Sequence, residues 1–91
     1  MAKVNYNSTA TAGASKVVAP QHIGRTGFTF KSLGDVFTLN FGASASADNV
    51  LRVNANESIT FTNSHKEPYD IRSQITVFCA NASAFQAQAE E

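Results

Sequence analysis

The sequence predicts an all-β fold, a small antiparallel β-sandwich or barrel of about six to seven short strands with an extended amino-terminal arm. Three observations point there. Along Arg25–Phe41, large apolar and polar residues alternate, so Phe28 and Phe30 share one side of an extended segment and Phe37, Leu39 and Phe41 share one side of the next. That is the period of a half-buried strand. Turn-forming clusters recur between such segments at the spacing of a sandwich or barrel, and no stretch carries the apolar repeat of an amphipathic helix.

Residues 1–15 are small and polar, with Val4 and Tyr6 as the bulky side chains beyond the first residue. Such a segment buries too little to offset its ordering entropy, so it is expected to be a flexible arm, or one ordered by a neighbour. Residues 16–91 then form the single sandwich domain. Lys16–Ala19 reads as a short first strand closed by Pro20. Arg25–Lys31 and Val36–Phe41 follow as a hairpin, with Gly34 and Asp35 supplying the tight connection. Gly42–Asn49 is a small-residue loop, and Val50–Val53 resumes the extended pattern. Asn54–Glu57 is a turn, since Asn tolerates left-handed backbone. Ser58–Thr62 turns Ile59 and Phe61 inward, and Asn63–Asp70, which contains Pro68, reads as an exposed loop. Ile71–Ala80 is the longest run, with Ile75, Val77 and Cys79 on one face and Phe78 on the other. That strand is expected to be covered on both sides, by a second sheet and by a neighbouring subunit. After a turn at Asn81–Ala82, Phe85, Ala87 and Ala89 alternate with Gln86, Gln88 and Glu90.

A chain of 91 residues makes one small domain with a modest core. Small domains gain stability from disulfides, metals or partners. Cys79 is the single cysteine, which excludes an intrachain disulfide, and His22 and His65 are isolated from other ligand types, so no metal is expected. Partners remain, and self-association is expected. Seven basic and seven acidic residues cancel, which argues against nucleic acid, where a basic stripe supplies affinity. A neutral surface poor in charge suits a protein packed against others. The chain opens without an apolar leader and has no run long enough to span a bilayer as a helix, so neither secretion nor a membrane is expected. The Asn-X-Ser/Thr matches at Asn7, Asn56 and Asn81 read as chance.

Catalytic chemistry is not signalled. Gly24-Arg25-Thr26-Gly27 lacks the lysine and helix of a phosphate loop. Cys79 lies in an apolar strand and reads as inert core. Asp35, Asp48, Glu67 and Asp70 are spread over three loops without ligand spacing. Neither an enzyme nor a cofactor is expected. The most distinctive loop is Lys66-Glu67-Pro68-Tyr69, where Tyr69 either anchors a contact or folds back to close the core.

The order of elements resembles the short, β-rich virion structural proteins of tailed bacteriophages. The matching pieces are Arg25–Ser32 (an R-x-G-apolar-T-apolar-x-S strand), Asn40–Ala47 (a strand ending in F-G and a small-residue loop), Asn54–Phe61, the Pro68–Tyr69 loop and the closing strand pair Ile75–Ala89. They cover most of the chain from Val17 onward, and the chain departs from some such proteins in lacking tryptophan and a longer carboxyl-terminal part. The resemblance implies a capsid decoration or cement protein that bridges major capsid subunits, assembled in the bacterial cytoplasm as a homo-oligomer, with a trimer favoured. The expected contact residues are Val4 and Tyr6 in the arm, Ser44, Ser46 and Asp48 in the small-residue loop, and His65, Pro68 and Tyr69. A neck, head–tail or tail component is the alternative within that class. A carbohydrate-binding module is the alternative outside it, and wants two or three exposed aromatic residues on one face.

Overall fold

A computed structural model describes residues 2–48, 51–66 and 68–91. Among the described residues there are nine strands, β1 (Lys3–Asn5), β2 (Ser8–Ala10), β3 (Ala14–Ala19), β4 (Gly27–Ser32), β5 (Phe37–Phe41), β6 (Arg52–Val53), β7 (Ser58–Thr62), β8 (Ile75–Cys79) and β9 (Ser83–Glu90). They form two antiparallel sheets with no helix among the described residues. In the five-stranded sheet the order is β1-β9-β4-β7, with β2 also on β9; in the four-stranded sheet it is β3-β8-β5-β6. The all-β sandwich expected from the alternation is the fold observed.

Three expectations need correcting. The segment 1–15 is not a free arm. Lys3–Asn5 and Ser8–Ala10 both pair antiparallel with β9 in one continuous register. Between them Tyr6 N–H donates to Ala87 O at 2.8 Å, while Ala87 N–H donates to the Asn7 side chain at 3.0 Å in place of a backbone carbonyl. A polar segment gains enough here because β9 offers a complete set of backbone partners. Second, Arg25–Phe41 is not a hairpin. β4 pairs with β7 and β9, whereas β5 pairs with β6 and β8, so the turn between them crosses from one sheet to the other. The Ser32 hydroxyl holds that turn, donating to Asp35 O and accepting from Gly34 N–H and Asp35 N–H. Third, the expected strand Val50–Val53 is seen as Arg52–Val53, with Asn49 and Val50 outside the described residues.

Inward residues of both sheets meet in one core. Phe30 and Phe85 from one sheet and Phe37 from the other form a three-ring cluster with centroids 5.2–5.7 Å apart. Phe41, Phe61 and Tyr69 form a second, at 5.5–6.2 Å. Four of these pairs are edge-to-face and Phe30–Phe85 is stacked; pairs of these kinds add about 0.5–1.5 kcal/mol each beyond their burial. A bulge between Val17 and Ala19 lets Val18 and Ala19 both turn inward. The connections segregate. Short turns (11–13, 33–36, 54–57 and 80–82) close one end of the sandwich, while the described parts of the links 20–26, 42–51 and 63–74 and of both chain ends gather at the other.

Candidate functional site

Two features stand out, a buried ionic clasp at the long-loop end and an open polar face on the five-stranded sheet. The clasp centres on Arg25, whose side chain is fully buried. Its Nε and Nη2 donate to Glu91 Oε2 at 2.9 and 2.6 Å, Nη1 donates to the carbonyls of Ile71 and Ser73, and Nη2 also donates to Pro20 O. The Tyr6 hydroxyl donates to the same carboxylate at 2.9–3.1 Å, and the Arg25 guanidinium lies 6.0 Å from the Tyr6 ring centroid. Burial alone would push the Glu91 carboxyl up, but the hydrogen bonds from Arg25 and Tyr6, with the nearby positive charge, hold it below its usual range. The Tyr6 hydroxyl is shifted up by burial and by the carboxylate it donates to. With each of its nitrogens engaged, the guanidinium has no donor left for a ligand; it ties segments 20–26 and 71–73 to both ends of the chain.

The expected contact residues divide. Val4 lies opposite Ala89 and Tyr6 reaches the clasp, and both are half-buried in their own chain. Ser44, Ser46 and Asp48 are exposed. Their loop lies across the outer face of the four-stranded sheet: Thr38 Oγ1 donates to Ser46 O and Thr76 Oγ1 to Ala43 O, both at 2.6 Å, while Asn40 Nδ2 donates to Ser44 O. The chain itself thus covers the outer face of β5 and β8 at Thr38, Asn40 and Thr76, while Phe78, on the same face, stays half-buried. His65 Nε2 is 2.8 Å from Arg25 O, and Arg72 bridges the His65 carbonyl and the Asp70 carboxylate. Those bonds from Arg72 hold the Asp70 carboxyl down at about 2. Half-buried Tyr69 packs on the core through Phe41 and Phe61, as its core-closing role expects; Pro68 is exposed. Glu67 lies outside the described residues.

The open face was missed in the sequence, although the alternation of Gln86, Gln88 and Glu90 with inward residues was its signal. Asn5, Gln88, Thr29 and Thr60 fall in one row across the sheet, and Gln86, Lys31 and Ser58 in the next. Gln88 Nε2 donates to Asn5 Oδ1 and the Thr29 and Thr60 hydroxyls pair, each at 3.1 Å. With Asn7, all of these but Thr60 line a shallow groove of about 400 Å³. Amides and hydroxyls, with Lys31 as the charged member of the lining, make a flat surface suited to hydrogen bonding with another protein. Cys79 is buried, and among the described residues no cluster of His, Cys, Asp and Glu is placed to hold a metal. No protein-family model, no curated protein and no solved structure matches the chain.

Proposed function

We propose that this chain is a non-enzymatic structural protein of a tailed-bacteriophage virion, a decoration or cement protein that seats on the assembled shell and bridges major capsid subunits. The observation that carries this is the outer face of the five-stranded sheet, a rigid, charge-poor array of Asn5, Asn7, Gln86, Gln88, Thr29 and Ser58. A face of this kind forms many directional hydrogen bonds at little desolvation cost compared with a charged one. The sequence resemblance supplies the class of partner. A neck or tail position uses the same surface. A carbohydrate module is disfavoured by the lining of the groove, which contains amides and hydroxyls in place of aromatic platforms.

The test is co-sedimentation of the chain with shells assembled from the phage major capsid protein. Saturable binding is expected, and Gln88→Lys, at an exposed position in the centre of the face, is expected to weaken it while leaving the fold intact. Undiminished binding by Gln88→Lys moves the contact to another surface, and no binding by the native chain refutes the shell-binding role.

A further inference from the structure

The four outer edges of the two sheets are not alike. β1 and β2 carry Lys3 and a break in the strand at Tyr6–Asn7, where a side chain takes the place of a backbone acceptor. β3 carries Lys16 and a bulge and is followed by Pro20. β6 spans only Arg52–Val53. Charge, bulges, proline and shortness are the devices by which sheet edges avoid pairing with other chains. β7, Ser-Ile-Thr-Phe-Thr, has none of them: it is uncharged, lacks proline and pairs with β4 in unbroken register.

The direction of its free backbone groups follows from the ladder. Ser32 N–H donates to Glu57 O and Asn63 N–H to Thr26 O. In antiparallel pairing the bonded positions alternate, so Ile59 and Phe61 bond to β4 while Ser58, Thr60 and Thr62 turn their N–H and C=O groups outward. Left-handed Asn56 (φ 63°) and Asn63 (φ 53°) bound the strand on both sides. The sequence is self-complementary about Thr60. An antiparallel copy places Ser58 against Thr62, Thr60 against Thr60 and Ile59 against Phe61 of the second copy. Hydroxyl pairs then lie on the outer face and a β-branched–aromatic pair on the inner one, both favourable cross-strand combinations. Glu57 meets Asn63 of the second copy, so no like charges oppose.

We propose that β7 is a homodimerisation edge, pairing antiparallel with β7 of a second copy about a two-fold axis at Thr60 and joining the two five-stranded sheets into one. About six backbone hydrogen bonds form across the axis. Cross-strand neighbours point to the same side of a sheet, so the two open polar faces become one continuous surface. A dimer replaces the trimer that the sequence favoured. The pairing goes beyond the shell-binding role and does not depend on it.

Native mass and sedimentation of the full chain, from micromolar to millimolar concentration, test this together with Thr60→Pro and Thr60→Lys. The first removes the outward N–H at the axis without touching the bonds to β4; the second sets two ammonium groups against each other at the axis. The expected result is a dimer for the native chain and for Gln88→Lys, whatever that change does to shell binding. Association weakened on the order of tenfold or more is expected for both Thr60 variants, with thermal unfolding confirming that they fold. Should either variant fail to fold, amide exchange of the native chain reads the same surface. Protection of the Ser58, Thr60 and Thr62 amides that rises with concentration supports the edge, and fast exchange of those amides at every concentration overturns it. A native monomer, a trimer, or a dimer indifferent to both Thr60 variants also overturns it.

Discussion

Replacing Glu91 with alanine leaves the fully buried Arg25 guanidinium without its counter-charge. Two charge-assisted hydrogen bonds to Oε2, at 2.6 and 2.9 Å, vanish, and the Tyr6 hydroxyl loses its acceptor. Breaking a buried ion pair from one side costs about 3–5 kcal/mol, because the remaining charge stays desolvated. Three bonds to the carbonyls of Ile71, Ser73 and Pro20 persist, and the Glu91 side chain is itself 8% exposed, which admits some solvent. The lower end, about 3 kcal/mol, is therefore expected. A 91-residue domain has a total stability of roughly 5–14 kcal/mol, so a large part of it goes, and Tm falls by roughly 12–24 °C. The assay is urea unfolding followed by circular dichroism, with calorimetry for Tm. The double variant Arg25→Met/Glu91→Leu separates the pair from mere packing. It is expected to be more stable than Glu91→Ala, since removing both charges also removes the desolvation penalty. A loss below about 1 kcal/mol for Glu91→Ala would mean that water solvates Arg25 and that the clasp does not hold the loops.

Acid should weaken the fold through three carboxyls. All are depressed, Glu91 below its ordinary 4.5, Asp35 below its ordinary 3.8 and Asp70 from 3.8 to about 2. The stability they contribute is complete above those ordinary values and is lost as pH falls through the depressed ones. Urea midpoints are thus expected to be level above about pH 4.5 as far as these groups act and to decline toward about pH 2. In Glu91→Gln the decline is confined to the window of Asp35 and Asp70; an unchanged profile would remove Glu91 from the account. Asn7→Ala takes away the acceptor of Ala87 N–H in the middle of the β1–β2 ladder on β9. A loss of about 1–2 kcal/mol in urea unfolding is expected, with faster amide exchange at Ala87, and unaltered exchange there would show that another group takes over the bond.

The clasp and the open face divide the labour between the ends and the face of the sandwich. Arg25 and Glu91 bind the long links and the termini to the core, which keeps β9 fixed between β1 and β4. The polar face stands mainly on β9 and β4, so its amides and hydroxyls inherit that rigidity. Ordered polar groups give up less side-chain entropy on contact than mobile ones do.

How much of this was legible depends on how local each cause is. Ser58–Thr62 was readable to the residue, since its inward Ile59 and Phe61 and the flanking asparagines act within a few positions. The inward sets Phe28/Phe30, Phe37/Leu39/Phe41 and Ile75/Val77/Cys79 were readable for the same reason. Strand alternation is a property of extended covalent geometry, and every residue carries it with it. Pairing is not local. The turn 33–36 joins two sheets rather than two neighbours because β4 finds β7 and β9, far away in the chain. Residues 3–10 are strand only because β9 is there to receive them. Arg25 and Glu91 stand 66 residues apart, and nothing near either one names the other. The sequence by itself therefore determined an all-β chain, its inward faces and most of its turns. The tertiary structure alone decided which strands are neighbours, which edge is left open and which charges are buried together, because those depend on free energies of contact between distant segments.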